Sequence, residues 1–401
     1  MAVTIQQQAS VLTPAYNDAI YILSSNNTSQ DNFKYVVDIY VGGVKVDRML
    51  IPPHPTHLTG LANVAPLLES RVTKDILIGD DRILENTSSN VEYTLKFGEA
   101  YGTTGTTIYA DLTVLTGKFM WNSVFDYEDY CVYSSGDYVS SSGSPTNFLT
   151  NKPSSGDVMT DDNAWLYFND FALKSSYVKV TTRNSSLATI GTWNIANNIT
   201  TKRFLRVPSG PANLNIIPNG QLSSGSQPII VGTEYDYHLQ AFDTANNAIT
   251  NKYYYTLVTN CSRYTKKRFQ FLNKLGGYDF FDFTLVSKDL VDIERSTYKK
   301  NLGSYASANS YTYSPKDRAI TTFHTQVKDK LSIQSDWVRE SVMAWLEELI
   351  TSPDVLYDDG TYLIPVNITN TTFEKKKEVN EKLFNLSIEY TLSYDRSRQR
   401  I

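Results

Sequence analysis

In Phe33-Lys34-Tyr35-Val36-Val37-Asp38-Ile39-Tyr40-Val41 every odd position is apolar, the period-two pattern of a strand with one face in a core. Gly42-Gly43 follows, and then a second run with Val44, Val46 and Met49-Leu50-Ile51. Two such runs joined by paired glycines predict a hairpin, because glycine accepts the positive φ angles of the tight primed turns. Pro52-Pro53-His54-Pro55 stops the second strand, since proline donates nothing to a ladder. Leu61, Val64, Leu67, Leu68 and Val72 share one stripe and predict a short helix that starts near Pro66. Val91, Tyr93, Leu95 and Phe97 alternate again, Gly98 to Gly102 ends that strand, and Thr107 to Val114 offers another. Residues 1–115 therefore read as an N-terminal β-sandwich.

Residues 116–207 read as a second β-rich domain. Phe119 to Val132 is aromatic and acidic, and Ser134 to Gly156 has the Ser/Gly content of an exposed loop. Trp165 to Phe168, Tyr177 to Val180, Thr189 to Trp193 and Lys202 to Val207 read as strands. Pro208-Ser209-Gly210-Pro211 is a turn or linker signal.

Residues 208–401 form the third expected domain, an α+β part. Tyr235, Tyr237, Leu239 and Ala241 alternate, Asp243 to Asn247 turns, and Ile249 to Val258 returns. Arg268 to Asn273 and Tyr278 to Phe283 make a second hairpin about Gly276-Gly277. Over 335–350, Val338, Val342, Trp345, Leu346 and Leu349 cover one side of an amphipathic helix that packs on a sheet, with Ser335 placed to cap it. Tyr362 to Val366 is extended, and from Leu383 to Tyr394 Phe384, Leu386, Ile388, Tyr390 and Leu392 face one way. The fold class expected is mainly β, with several β-sandwich domains and this one helix near the C-terminus.

Composition agrees. The chain has 401 residues, enough for two or three domains. It is 41% hydrophobic, too much for a disordered chain, and its 28 Tyr and 17 Phe suit pleated, half-buried surfaces. The net charge of −5 disfavours nucleic acid as the main partner. No apolar run approaches the ~18–20 residues needed to cross a bilayer. Met1 to Gln8 lacks a basic stretch and an apolar core, so synthesis in a cytoplasm without a secretion signal is expected. Cys131 and Cys261 are too few for a disulfide scaffold, and the Asn-x-Ser/Thr sequons, as at Asn26 and Asn184, are what an Asn-, Ser- and Thr-rich chain produces by chance.

Candidate chemistry is sparse. His54-Pro55-Thr56-His57 has a metal-like spacing without the helix and glutamate of a zincin, and a surface loop accounts for it. No nucleophile elbow, phosphate-binding loop or dinucleotide fingerprint is present. Asp126, Glu128, Asp129, Asp161, Asp162, Asp279 and Asp282 lie among aromatics, and two such acids in a groove would suit a glycosidase. In an aromatic β protein, acids that alternate to the solvent side explain them better. Asp80-Asp81 lacks calcium-loop spacing and reads as a turn. Tyr264 to Phe269, with Lys266-Lys267-Arg268, is the densest basic cluster; a solvated strand edge explains it better than a nucleic-acid patch. Glu374 to Glu378 reads as an exposed turn or helix end. No catalytic, cofactor-binding or metal-binding residue is assigned, and no cofactor is expected.

Several strings are familiar. Tyr35 to Gly43 with the Pro52-Pro53-His54-Pro55 stop, and Lys96-Phe97-Gly98-Glu99-Ala100-Tyr101-Gly102, resemble the N-terminal part of structural proteins of tailed bacteriophages. Arg268 to Phe283 is similar to a segment of those proteins, including ones from phages of Bacteroidetes hosts and crAss-like phages. Ser352-Pro353-Asp354-Val355 and Leu363-Ile364-Pro365-Val366 fit the same likeness. The resemblance covers the two ends and the third quarter of the chain, and it transfers no catalytic residue. It implies a non-enzymatic virion protein, made in the host bacterial cytoplasm. Such a protein is a tail, neck, collar or baseplate subunit that assembles with itself, in a symmetric ring, and with neighbouring virion proteins. Tyr and Asn suit such contact surfaces by combining area with hydrogen bonding. The alternative is a carbohydrate-binding or receptor-binding tail protein, with a glycan platform around Trp165 or Trp193. A glycosidase is the third reading. No membrane partner is expected.

Overall fold

The first hairpin forms as its pattern requires. Strand Lys34–Val41 pairs with Val44–Ile51, and Gly42 and Gly43 take φ of +57° and +80°, values open to glycine without a Cβ penalty. In this computed structural model the described residues are 3–74, 76, 81–103, 107–108, 113–139, 145–171, 174–201, 203–258, 264–370 and 383–394. Lys34–Val41 also pairs with Asn90–Tyr101, which pairs with Thr113–Trp121, and Leu12–Pro14 joins that strand in parallel. A smaller sheet holds Thr4–Gln7, Ile20–Ser24 and Gly60–Asn63. Tyr21, Leu23 and Ala62 of the small sheet share one core with Tyr35, Val37, Ile39, Tyr93, Leu95 and Phe97 of the large one. Burial of each of the larger aliphatic and phenyl side chains among these stabilises the fold by roughly 1.5–3 kcal/mol. The expected helix is cut to Ala65–Leu68 with Pro66 in its first turn. Leu61 belongs instead to strand Gly60–Asn63 and is exposed.

A second pair of sheets follows. Six strands run in the order Gly156–Val158, Tyr253–Leu257, Asp236–Phe242, Tyr177–Arg183, Thr189–Ala196 and Leu222–Ser224. Three more are Trp165–Asp170, Arg203–Pro208 and Leu84–Asn86. These sheets take strands from both sides of positions 115 and 207. Contacts accordingly divide the chain into Met1–Asn260 with Leu272–Asp279, and Cys261–Phe271 with Phe280–Ile401.

Two loop expectations change. Pro208-Ser209-Gly210-Pro211 is interior and no linker. Ser209 is fully buried with its hydroxyl 3.0 Å from that of Tyr255, and Tyr237 donates to its carbonyl. A Cβ on Gly210 would sit 2.4 Å from the Ala164 nitrogen, and Pro211 opens a short helix, Pro211–Asn215. Within 134–156, Thr146, Phe148 and Leu149 are buried, because the Leu149 N–H donates to the Tyr167 carbonyl and draws the chain onto that strand. Residues 140–144 lie outside the described set.

The second unit carries most of a seven-stranded sheet in the order Tyr278–Phe283, Lys267–Leu272, Val355–Asp358, Leu363–Ile368, Ser387–Leu392, Ile320–Gln334 and Lys288–Lys299. Helix Glu340–Thr351 lays Trp345, Leu346 and Leu349 on Phe269, Phe271, Ile333 and Ile388. The helix starts at Glu340, not at Ser335. The Ser335 hydroxyl accepts from the Leu386 N–H and donates to the Asp336 carbonyl, and Val338–Arg339 pairs with Leu383–Phe384, so backbone competition delays the helix. The alternating face of Phe384, Leu386, Ile388 and Tyr390 is buried as its pattern predicts, although the strand is interrupted between Phe384 and Ser387.

Candidate functional site

His54 and His57 stack at 4.9 Å in an exposed turn. The His54 Nδ1 accepts from the N–H groups of Thr56 and His57, so its lone pair shapes the turn. Among the described residues no cluster of three His, Cys, Asp or Glu could hold a metal ion. Cys131 is an exposed free thiol; Cys261, Asp80 and Glu374 to Glu378 lie outside the described residues. Asp81 pairs with its neighbour Arg82.

Helix Tyr127–Cys131 places Asp126, Glu128 and Asp129 at the surface. Asp126 and Asp129 border a cavity of about 290 Å³ with Tyr133, Tyr138, Asn151 and Lys274. There Lys274 Nζ binds Asp126 at 2.7 Å. Tyr133 donates to the Leu12 carbonyl, and burial pushes the Tyr138 phenol up to about 12. Lys274 enters this cavity on the tip of the Gly276-Gly277 hairpin. The Lys274 carbonyl accepts from Val124 N–H, and Asn273 donates to the Leu149 carbonyl. Asp279 accepts from the Thr150 hydroxyl. Asp162, fully buried, accepts from the Met159 N–H, while Asp161 is exposed. Asp126, Glu128 and Asp129 thus stand together at one short helix, two of them at the same cavity, while Asp161, Asp162, Asp279 and Asp282 lie on other elements, where those with close partners serve turns and ion pairs.

The basic cluster is not an edge. Strand Lys267–Leu272 lies between Tyr278–Phe283 and Val355–Asp358. Arg268 is buried, forms a two-pronged pair with Asp282 at 2.9 and 3.0 Å, and lies over the Phe280 ring. Lys267 binds the Tyr357 hydroxyl. Neither expected glycan platform is an open ring. Trp165 is 8% exposed under the Arg206 guanidinium. Trp193 is flanked by Gly191 and Gly225, and its N–H donates to the Ser226 carbonyl.

An exposed surface of another kind lies elsewhere. Strand Lys288–Lys299 pairs with Ile320–Gln334 along its whole length, yet no residue between Phe283 and Val327 is buried. Ser387–Leu392 supports only Lys330 to Gln334. Outward of Lys330 this is a two-stranded ribbon roughly 30 Å long at ~3.3 Å per residue, and it leads to the small hairpin Ser304–Ser307 and Ser310–Thr312. Leu290, Val291, Ile293, Tyr298, Ile320 and Phe323 are all more than 40% exposed along it.

No family model and no curated protein matches the chain. Among solved structures, the chain is similar to the full extracellular region of plexin A4. For domains 1 to 8 the TM-score is 0.17, with 9% identity over 82% of this chain and 32% of that one. For domains 1 to 10 the TM-score is 0.15, with 9% identity over 98% and 34%. The chain spans about a third of those structures' length, and at such TM-scores the likeness carries no argument about fold or function.

The ribbon has no counterpart among the residues that sequence patterns single out. Leu290 and Val291 are adjacent, and Asp289, Asp292 and Glu294 intervene on both faces. A strand solvated on both sides lacks the period-two signal. The readable cue was a long stretch of β-branched and aromatic residues without a helix pattern.

Proposed function

We propose that the chain is a non-enzymatic structural component of a tailed-phage virion. It is a subunit of the tail, neck or baseplate that assembles with copies of itself, in a symmetric ring, and with neighbouring virion proteins. The observation that carries this reading is the ribbon: strands that outward of Val327 bury nothing within their own chain, and that present apolar side chains and an open edge, are built for another chain. Among the described residues no helix is long and apolar enough to cross a membrane. A ring requires head-to-tail contacts, which the exposed surfaces of both units can supply. Cryo-electron microscopy of the native particles tests the proposal. Ordered copies at symmetry-related positions between other subunits are expected. Absence of the chain from the particle overturns it, and a few loosely held copies with free aromatic faces would turn the reading to receptor binding.

A further inference from the structure

Strand Lys288–Lys299 is the last strand of its sheet, and among the described residues it pairs only with Ile320–Gln334. Its outer edge therefore presents a row of backbone N–H and C=O groups. Lys288 to Arg295 are all exposed. A two-stranded ribbon is marginal in water, and three or four strands make it stable. The edge is long, it has no proline, and its bulge comes only between Ser296 and Thr297; its charges, Lys288, Asp289, Asp292, Glu294 and Arg295, are of both signs, so a second copy can pair with them.

We infer that this edge pairs with the same edge of a second copy, antiparallel, about a two-fold axis through Asp292. The regular stretch Lys288 to Ser296, bounded by the bulge, has Asp292 at its centre. Along an edge only every second residue points its N–H and C=O outward. A two-fold pairing must therefore be centred on a residue, so that outward groups meet outward groups.

Side chains choose among such registers. Centring on Asp292 opposes Val291 to Ile293 and Asp289 to Arg295, each twice, all on one face; on the other face it opposes Leu290 to Glu294 and Lys288 to Ser296. Centring on Val291 opposes Leu290 to Asp292 and Asp289 to Ile293. Centring on Ile293 opposes Asp292 to Glu294. Opposite charges and apolar pairs stabilise a ladder, and like charges directly opposite destabilise it.

Within its own ribbon Asp289 stands opposite Leu331 and Arg295 opposite Thr325, so neither has a charged cross-strand neighbour there. The two Asp292 carboxylates meet at the axis, each beside Lys328 of its own ribbon. On the favoured face Asp289, Val291, Ile293 and Arg295 stand opposite Leu331, Asp329, Val327 and Thr325, and Leu331 packs against the core of the unit, so the pairing widens a face of mixed apolar and charged side chains to four strands. Nine opposed pairs give about eight to ten backbone hydrogen bonds, in the range of a specific protein interface. The inference stands whether or not the chain sits in a virion; in a ring, it would join two rings back to back.

The test uses the full chain and sedimentation between about 1 and 100 µM. Wild type dimerises in this range. Asp289→Arg and Arg295→Asp each weaken association at least about tenfold, since each places two like-charged pairs in the interface. The double swap, Asp289→Arg with Arg295→Asp, restores it. With Cys131 and Cys261 changed to serine, Asp292→Cys oxidises to a disulfide dimer, because opposed Cα atoms lie about 4.5–5.5 Å apart. Glu294→Cys does not, its two copies being about 13 Å apart. A wild type monomeric throughout, a dimer indifferent to the single swaps, a double swap that fails to restore it, or equal cross-linking at both positions overturns the inference.

Discussion

Tyr390 is fully buried against the rings of Phe269 and Tyr357, and its hydroxyl has no hydrogen-bond partner. A buried polar group left unpaired costs about 1–3 kcal/mol. Tyr390→Phe keeps the ring packing and removes the cost, so urea unfolding should show a gain of about 0.5–1.5 kcal/mol; a loss would mean that the hydroxyl is satisfied. Asp38 is the opposite case. Burial pushes its carboxyl up, but Arg48, at 2.5 and 2.7 Å, and Lys45, at 2.9 Å, outweigh burial and hold it below the ordinary carboxylate range. A depressed folded pKa contributes stability that is present above the unfolded value and lost as pH falls through the folded one. Asp38→Asn should cost about 1–3 kcal/mol at pH 7. That difference should shrink below about pH 4, as the wild-type carboxyl takes up its proton; unfolding curves at pH 7 and pH 3 check both.

At the scale of elements, the two Gly-Gly hairpins separate conformational demand from packing demand. Gly42 and Gly276 both have positive φ, +57° and +80°. A Cβ on Gly42 meets nothing within 4 Å, whereas on Gly276 it would lie 2.1 Å from the Asn122 carbonyl oxygen. Gly42→Ala should therefore cost only the left-handed penalty, about 1–2 kcal/mol. Gly276→Ala should cost clearly more, because backbone must move and the tip that carries Asn273 and Lys274 is displaced. Thermal unfolding of the two variants side by side measures the difference, and equal losses would refute it.

At the scale of the molecule, the ribbon adds length without adding core. Joining Glu294 to Gln326 by Asn-Gly makes a two-residue hairpin and removes residues 295–325, none of which is buried. The shortened chain should unfold within a few degrees of the wild type, since surface changes away from buried features are usually small. It should also remain a monomer where the full chain dimerises. A large drop in Tm would show that the ribbon supports its own chain and not a second one.

The apolar alternation by itself determined the strands that bury one face. Val91 to Phe97 and Leu386 to Tyr390 sit where their period places them, because burial of one face writes period two into the sequence; Phe33 to Val41 forms its strand as expected and buries Val36 and Asp38 on the second face as well. The mainly β class followed from those strands. Tertiary structure decided which strands share a sheet. Leu84–Asn86 lies beside Arg203–Pro208, and no local pattern encodes a pairing between strands so far apart in the chain. It also decided that Pro208-Ser209-Gly210-Pro211 is buried, that Ser335 binds Leu386 and leaves the helix uncapped, and that Arg268 lies inside a sheet against Asp282. In each case a distant partner overrides a local turn, cap or edge signal. The ribbon edge was least legible of all: a strand exposed on both faces leaves no periodic trace, and only its place at the end of a sheet reveals it as a surface for another chain.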